Sequence, residues 1–317
     1  MKVNILLSTY NGEKYLSEQI ESIQAQTFTD WQLLIRDDGS SDGTVDLIKH
    51  FVKSDHRIRF INEDNIVNYG VVKSFYHLVK FEKADYYFFS DQDDVWLPEK
   101  LEITLQRGQK ENSDKPLLVY TDLRVVNENL EILQESMIKA QSHHANTELV
   151  QELTENTVTG GTMMINKALA DKWQVYENLL MHDWYLALLA ASLGKLVYID
   201  QPTQLYRQHE ANVLGARTWS KRAKNWLRPN TLISKYWWLI KSSQSQAEKL
   251  LNQELTDEIK EMILAYIGLL DQNFSNRWQS MKRYGFQKNR WFHTFVFTTL
   301  ILTKFGYKQN WRKNELF

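Results

Sequence analysis

The 317-residue chain has no cysteine. This excludes a disulfide scaffold, a thiolate zinc site and a cysteine nucleophile, and it agrees with a reducing compartment. Proline is scarce, with 4 residues. A bilayer-spanning helix needs roughly 20 apolar residues. The most apolar C-terminal stretch, residues 291–302, falls short and is interrupted by His293, Thr294, Thr298 and Thr299. Residues 1–7 are too short for the apolar core of a secretory signal and read as a buried first strand. Neither an internal repeat nor a low-complexity linker is present. Together these absences predict a soluble chain, or one that meets a membrane only at its surface.

Net charge is nearly absent as well: 38 Lys plus Arg against 39 Asp plus Glu leave −1. The balance is a cancellation. Residues 1–216 hold 20 basic and 32 acidic side chains, a net of −12, whereas residues 217–317 hold 18 and 7, a net of +11, together with 7 of the 11 Trp. The length suits one large α/β domain or two smaller ones. Charge and periodicity place the boundary near 217.

Up to residue 200, short apolar runs at 3–7, 31–35, 58–61, 86–89, 117–120, 162–165 and 196–199 predict strands. Helical spacing over 13–26, 42–52, 71–81 and 99–107 separates the earlier ones, with Asp42 as a candidate N-cap and Pro98 where a first turn tolerates it. This alternation predicts an α/β fold with a mainly parallel sheet and helices on both faces, and ligands outside the carboxyl ends of the strands. Beyond Gly215 the strand signal stops. Residues 216–228, 231–251, 253–271 and 290–304 read as helices, with Pro229 between the first two.

The first strand ends in Ser8-Thr9-Tyr10-Asn11-Gly12, and the second in Asp37-Asp38-Gly39-Ser40-Ser41-Asp42-Gly43-Thr44. Small residues at two strand ends let a ligand approach the backbone. Asp38 can accept a pyrimidine ring N–H, and Tyr10 can stack on the ring. Either segment alone reads equally well as an ordinary βα turn. With no G-x-G-x-x-G after the first strand, a dinucleotide-binding Rossmann domain is disfavoured.

The densest signal is the apolar strand that delivers Asp91-Gln92-Asp93-Asp94. Three neighbouring carboxylates repel one another unless a divalent cation joins them, and oxygen ligands suit Mg²⁺ or Mn²⁺; the other reading is a solvated acidic turn capping the helix at Glu99. An EF-hand is excluded by Val95 and Trp96 at its fifth and sixth positions. A haloacid-type phosphatase would carry its D-x-D after the first strand. Further on, Gly160-Gly161 precedes a strand, His182-Asp183-Trp184 opens an apolar helix, and Arg207-Gln208-His209 follows the final strand. An Asp at a helix start is often only a cap; downstream of a metal site, beside His182 and Trp184, Asp183 is also a general-base candidate.

In this order, these segments resemble the family 2 glycosyltransferases of GT-A fold over residues 1–215, and within them the bacterial rhamnosyltransferases that build cell-wall polysaccharides. The resemblance implies a Rossmann-like GT-A domain followed by an α-helical C-terminal region. It implies metal-dependent, inverting transfer from a nucleotide sugar such as dTDP-rhamnose to a lipid-linked saccharide at the inner face of the cytoplasmic membrane. It places Ser8, Tyr10, Asn11, Asp38, Asn68, Asp91 and Gln92 on the donor, with Gly70 beside Asn68. Asp91, Asp93 and His209 fall at a Mn²⁺ or Mg²⁺ that meets the diphosphate. Asp183 becomes the base, and Gly160, Gly161, His182 and Trp184 shape the acceptor pocket. Family members usually carry Glu-Asp where this chain has His182-Asp183. The other readings are a transferase of another sugar, or a non-catalytic nucleotide-sugar-binding scaffold.

The basic region is rich in aromatics. Trp219, Ala223 and Trp226 share one helical face, with Lys221, Arg222, Lys224 and Arg228 largely elsewhere. Tyr236-Trp237-Trp238, Lys282-Arg283-Tyr284 and Arg290-Trp291-Phe292 follow. Such helices suit an anionic membrane surface, and equally an inward-packed subdomain or a homodimer contact. Nucleic acid is disfavoured, because the acidic half would repel phosphates.

Overall fold

The structure, a computed structural model, describes residues 1–209 and 229–307. The chain runs β1 (Val3–Thr9), α1 (Leu16–Gln24), β2 (Gln32–Asp37), α2 (Thr44–Ser54), β3 (Ile58–Phe60), α3 (Val71–Phe81) and β4 (Tyr86–Ser90). Next come β5 (Val95–Trp96), α4 (Lys100–Gly108), β6 (Leu117–Val126), β7 (Ile132–Gln134), and the short α5 (Met137–Gln141) and α6 (Leu149–Thr154). The sheet region closes with β8 (Met163–Asn166), α7 (Lys167–Lys172), α8 (His182–Leu193) and β9 (Lys195–Arg207). Beyond it stand α9 (Pro229–Glu248), α10 (Asp257–Ile267), α11 (Phe274–Tyr284) and α12 (Trp291–Thr303). The predicted helix over 216–228, with its Trp219 and Trp226 face, lies outside the described residues.

The strands form one sheet in the order β3-β2-β1-β4-β8-β6-β9-β5, with β7 on β6. The expected parallel sheet is its β3-β2-β1-β4 half. Farther along, β8 enters antiparallel between β4 and β6, β9 runs parallel to β6, and β5 and β7 add antiparallel edges. The sheet is therefore mixed. After β3 the chain returns to the other side of β1 to form β4. That reversal opens a crevice at the carboxyl ends of β1 and β4, where α/β sheets bind ligands.

Alternate residues of the central strands sort into two cores, as a period of two requires. Val3, Ile5, Leu7, Leu33, Ile35, Phe88 and Val119 face α1, α2 and α4. Leu6, Leu34, Tyr87, Phe89, Leu118 and Tyr120 face α3 and α8. The second core continues without a break into the C-terminal helices, through Trp237, Ile240, Ile263, Tyr266, Phe297 and Ile301.

Two strands outrun their apolar runs. β6 continues through Thr121 and Asp122 because β9 pairs with it as far as Val126↔Arg207, across register shifts. α11 is not among the predicted helices; it buries Arg277 and Met281 and leaves Phe274 and Trp278 exposed. Asp42 lies one residue outside its expected cap position, yet Oδ1 still accepts the Thr44 N–H at 3.1 Å.

Candidate active site

β1 and β2 end side by side, Thr9 opposite Asp37. Asp37 is buried and turns back on its own loop, accepting the Thr9 hydroxyl (2.8 Å) and the N–H groups of Gly39 (3.0 Å) and Ser40 (2.8 Å). Gly39 sits at φ +90°, a conformation that favours glycine, and Asn68 covers it: a Cβ built there would lie 3.5 Å from the Asn68 Cβ. Asp38 is also buried. Its Oδ1 accepts from Arg36 (2.7 Å), the Tyr69 N–H (2.6 Å) and Ser74 (3.0 Å), and its Oδ2 from the Gly70 N–H (2.8 Å). Oδ2 carries only one of these four bonds and can accept another. Tyr10 is half-exposed, and the Gln92 amide clamps its backbone, accepting the N–H (2.8 Å) and donating to the carbonyl (2.9 Å). Asn11 Oδ1 accepts the Ser41 N–H at 2.8 Å. Ser8 stands opposite Arg36 on β1. Gln92 and Asn11 thus position the loops around Tyr10 and Asp38.

At the end of β4, Asp93 Oδ2 lies 2.7 Å from His209 Nε2. The Tyr15 ring braces this corner, 5.1 Å from the His209 ring and 4.5 Å from the Arg207 guanidinium. Asp91 and Asp94 turn inward. Burial lifts the Asp91 carboxyl to about 7, with the Asp93 charge adding to it. Burial and the same neighbouring charges hold Asp94 well above the carboxylate range, although it accepts from Gln204 (2.9 Å) and the Arg207 N–H (3.2 Å). The buried Lys100 ammonium donates to the Gly161 carbonyl and to Gln204 Oε1 and lies 4.1 Å from the Trp96 ring. Burial draws it down to about 7 against the pull of Asp94 and Asp91.

Carboxylates held together against their mutual repulsion, beside an imidazole, form a donor set that fits Mn²⁺ or Mg²⁺. Among the described residues no three such side chains converge on one point. Asp93 and His209 are in contact, with Asp91 set apart against the glycine turn; ions of this kind draw their remaining ligands from substrate phosphates.

The centre of the site is the Gly160-Gly161 turn before β8. A Cβ built on Gly160 would lie 3.9 Å from Asp183 Oδ2, and the Gly161 position lies against Asp91, so one narrow turn runs between the two carboxyls. A Cβ on Gly161 would lie 2.9 Å from Gln204 Nε2, 3.1 Å from Asp91 Oδ2 and 3.3 Å from Asp94 Oδ2. One on Gly160 would lie 3.3 Å from His182 Nε2. Asp183, at the start of α8, also accepts the Trp184 N–H at 2.5 Å. Burial, and then the charge of Asp91, raises its carboxyl to about 7. A carboxyl in that range is matched to proton abstraction at neutral pH.

A sequence model described as glycosyl transferase family 2 matches residues 4–174. The chain belongs to glycosyl transferase family 2. It is 32% identical over 225 residues to the dTDP-rhamnosyl transferase RfbG of Shigella flexneri, covering 66% of this chain and 74% of that one. It is also 32% identical, over 127 residues, to the UDP-Glc:alpha-D-GlcNAc-diphosphoundecaprenol beta-1,3-glucosyltransferase WfgD of Escherichia coli, covering 40% of this chain and 47% of that one. The crystal structure of S. aureus TarS 1–349 in complex with UDP-GlcNAc superposes with a TM-score of 0.58 at 16% identity, over 90% of this chain and 80% of that one. This last likeness is one of fold.

Two expectations for this glycosyltransferase change in the structure. Trp184 is buried, 4% exposed, and its Nε1 donates to the Glu152 carbonyl (2.8 Å), so its ring supports α8 from below and offers no face to an acceptor. His182 is buried and stacked on Phe75, ring centroids 4.4 Å apart, and burial depresses its imidazole to about 3. It therefore cannot act as a cation, but its Nε2 has no protein partner and lies against Gly160.

Sequence reasoning also missed Arg36, Lys100 and Glu152. Arg36 interrupts an otherwise apolar strand, and that interruption was its only signal. Lys100 stands at a helix start, where a lysine is ordinarily exposed. Glu152, which burial raises to about 8, lies in a short helix with no detectable period.

Proposed function

We propose that the protein transfers rhamnose from dTDP-rhamnose to a lipid-linked saccharide of a cell-wall polysaccharide pathway, inverting the anomeric centre, with Mn²⁺ or Mg²⁺ bound. The observation that carries this reading is the Gly160-Gly161 turn packed between Asp183 and Asp91. It sets a donor-side carboxyl and a base of matched pKa against one narrow turn. The choice of donor is supported by the likeness to RfbG.

In this reading Tyr10 stacks on the base and Asp38 Oδ2 accepts its ring N–H. Asn68 and Ser8 line the donor cleft, while Gln92 and Asn11 hold its loops. Asp93 and His209, with Asp91, would hold the cation, which when bound neutralises charge on the departing diphosphate. Asp183 takes the acceptor hydroxyl proton as that oxygen attacks, and no covalent intermediate is needed. His182 accepts or donates one hydrogen bond at the acceptor through Nε2, beside Gly160 and Gly161. Residues 1–216 form the catalytic unit, and residues 217–317 bring it to the inner face of the cell membrane or to a second subunit.

The test is release of dTDP from dTDP-rhamnose, with Mn²⁺, in the presence and absence of a lipid-linked saccharide acceptor. Acceptor-dependent release that Asp183→Asn abolishes is the expected result. Release from UDP-glucose instead would reassign the donor. Donor binding with no release from any nucleotide sugar would make the protein a binding scaffold.

A further inference from the structure

Among the described residues, most of the exposed large aromatics lie in one stretch of chain, residues 274–305. Phe274 and Trp278 on α11, Trp291 and Phe295 on α12, and Phe305 just after it all stand open to solvent, Trp291 at 81% and Phe295 at 65%. Within each helix the two residues are four apart and so share a face. The helices are bonded as a hairpin, with Arg277 of α11 donating to the Leu302 carbonyl of α12 at 2.8 Å. The hairpin's own sequence is basic, although Arg283 pairs with Glu261 of α10 at 3.4 Å. Residues 272–314 contain nine Lys or Arg and no Asp or Glu. Lys282 lies 4.8 Å from the Trp278 ring. No helix among the described residues is long and apolar enough to cross a membrane.

We infer that the α11–α12 hairpin is the surface by which the protein lies on an anionic lipid membrane. Indole and phenyl rings settle at the headgroup boundary while lysine and arginine meet lipid phosphates, and a stretch without acidic residues has nothing to repel them. A protein partner of this face would have to be both acidic and apolar.

The hairpin is fixed relative to the chemistry. Its turn is bonded to the end of α6: the Gln287 carbonyl accepts from Thr154 (2.5 Å), Lys288 donates to the Thr154 carbonyl, and the Asn289 N–H donates to Glu155 (3.0 Å). α6 in turn receives Trp184 Nε1 at Glu152, next to Asp183. A membrane held at the hairpin therefore stands in a set relation to the base. This inference rests on the proposed lipid-linked acceptor for its purpose, though not for its evidence.

The experiment is flotation of the full chain with vesicles of phosphatidylcholine alone and of phosphatidylcholine with a quarter phosphatidylglycerol, without donor or acceptor, so that a failure of the transferase reading leaves it unaffected. Partition onto the anionic vesicles only, reduced at least tenfold by Trp291→Ser with Phe295→Ser and again by 0.5 M salt, is the expected result. Lys282→Glu with Arg283→Glu should weaken binding while leaving thermal stability unchanged. The inference is overturned if wild-type protein does not float, or if the serine variant floats as well as wild type. It is overturned too if the chain forms a dimer that the serine variant dissolves and shows no partition.

Discussion

Replacing Asp183 by Asn should make the protein inactive and more stable, and the two effects come from one cause. The Asp183 carboxyl is lifted from 3.8 to about 7, chiefly by burial. At 1.36 kcal/mol per unit, the ionised group costs the folded state about 4 kcal/mol above pH 7. The amide removes that cost. It offers one acceptor oxygen where the carboxylate offers two, and loss of the bond from the Trp184 N–H would take back about 1 kcal/mol. The net gain is about 3 kcal/mol, or roughly 6 °C at about 2 °C per kcal/mol for a chain of this size.

The sign fixes the pH window. A carboxyl whose pKa rises on folding does not penalise the native state below its unfolded pKa of 3.8, and the penalty grows until the pH passes about 7. Thermal melts of wild type and variant at pH 5 and pH 8.5 should therefore show a larger gain at pH 8.5. Turnover should fall about 10²–10⁴-fold, the usual contribution of a general base, with the dissociation constant for the donor unchanged. Equal stability increments at both pH values, or a variant less stable at pH 8.5, would refute the argument that Asp183 is held against its own ionisation.

The other expectations follow from the same geometry. Arg36→Met leaves Asp38 buried without its guanidinium, which should cost about 3–5 kcal/mol in chemical denaturation and abolish donor binding by calorimetry. Gly161→Ala forces a methyl against Gln204, Asp91 and Asp94; about 1–3 kcal/mol of stability and more than tenfold in initial rate should be lost. His209→Ala removes the partner of Asp93 and should raise the Mn²⁺ concentration for half-maximal rate at least tenfold, with the melting temperature nearly unchanged. In wild type, kcat/KM should fall below about pH 7 as Asp183 protonates, and Asp91→Asn should move that limb to lower pH by removing the second cause of the shift.

The parts of this protein that were legible in its sequence are those where one local pattern has one physical meaning. The run of residues 86–90 before Asp91 could only be a strand buried on both faces, and its alternate residues do enter separate cores. The carboxylates after it had to sit at a strand end. By contrast, Arg36 and Lys100 gain their roles only from groups distant in the chain. Arg36 bonds Asp38 but also Ser74 and the Val67 carbonyl, and Lys100 bonds Gly161 and Gln204. Trp184 failed for the same reason, since nothing in His182-Asp183-Trp184 says which side of α8 faces Glu152. Two of the missed residues also share a chemistry. Arg36 and Lys100 are basic groups buried beside the carboxylates Asp38, Asp91 and Asp94. A site that gathers negative charge for a substrate that is itself negative needs a counterweight in the protein, and one that is never exchanged. Burying it inside the apolar layers places it close enough to act and too deep to compete for the phosphate. That requirement also explains why these two basic groups stand in stretches whose pattern predicts only core strand or helix start.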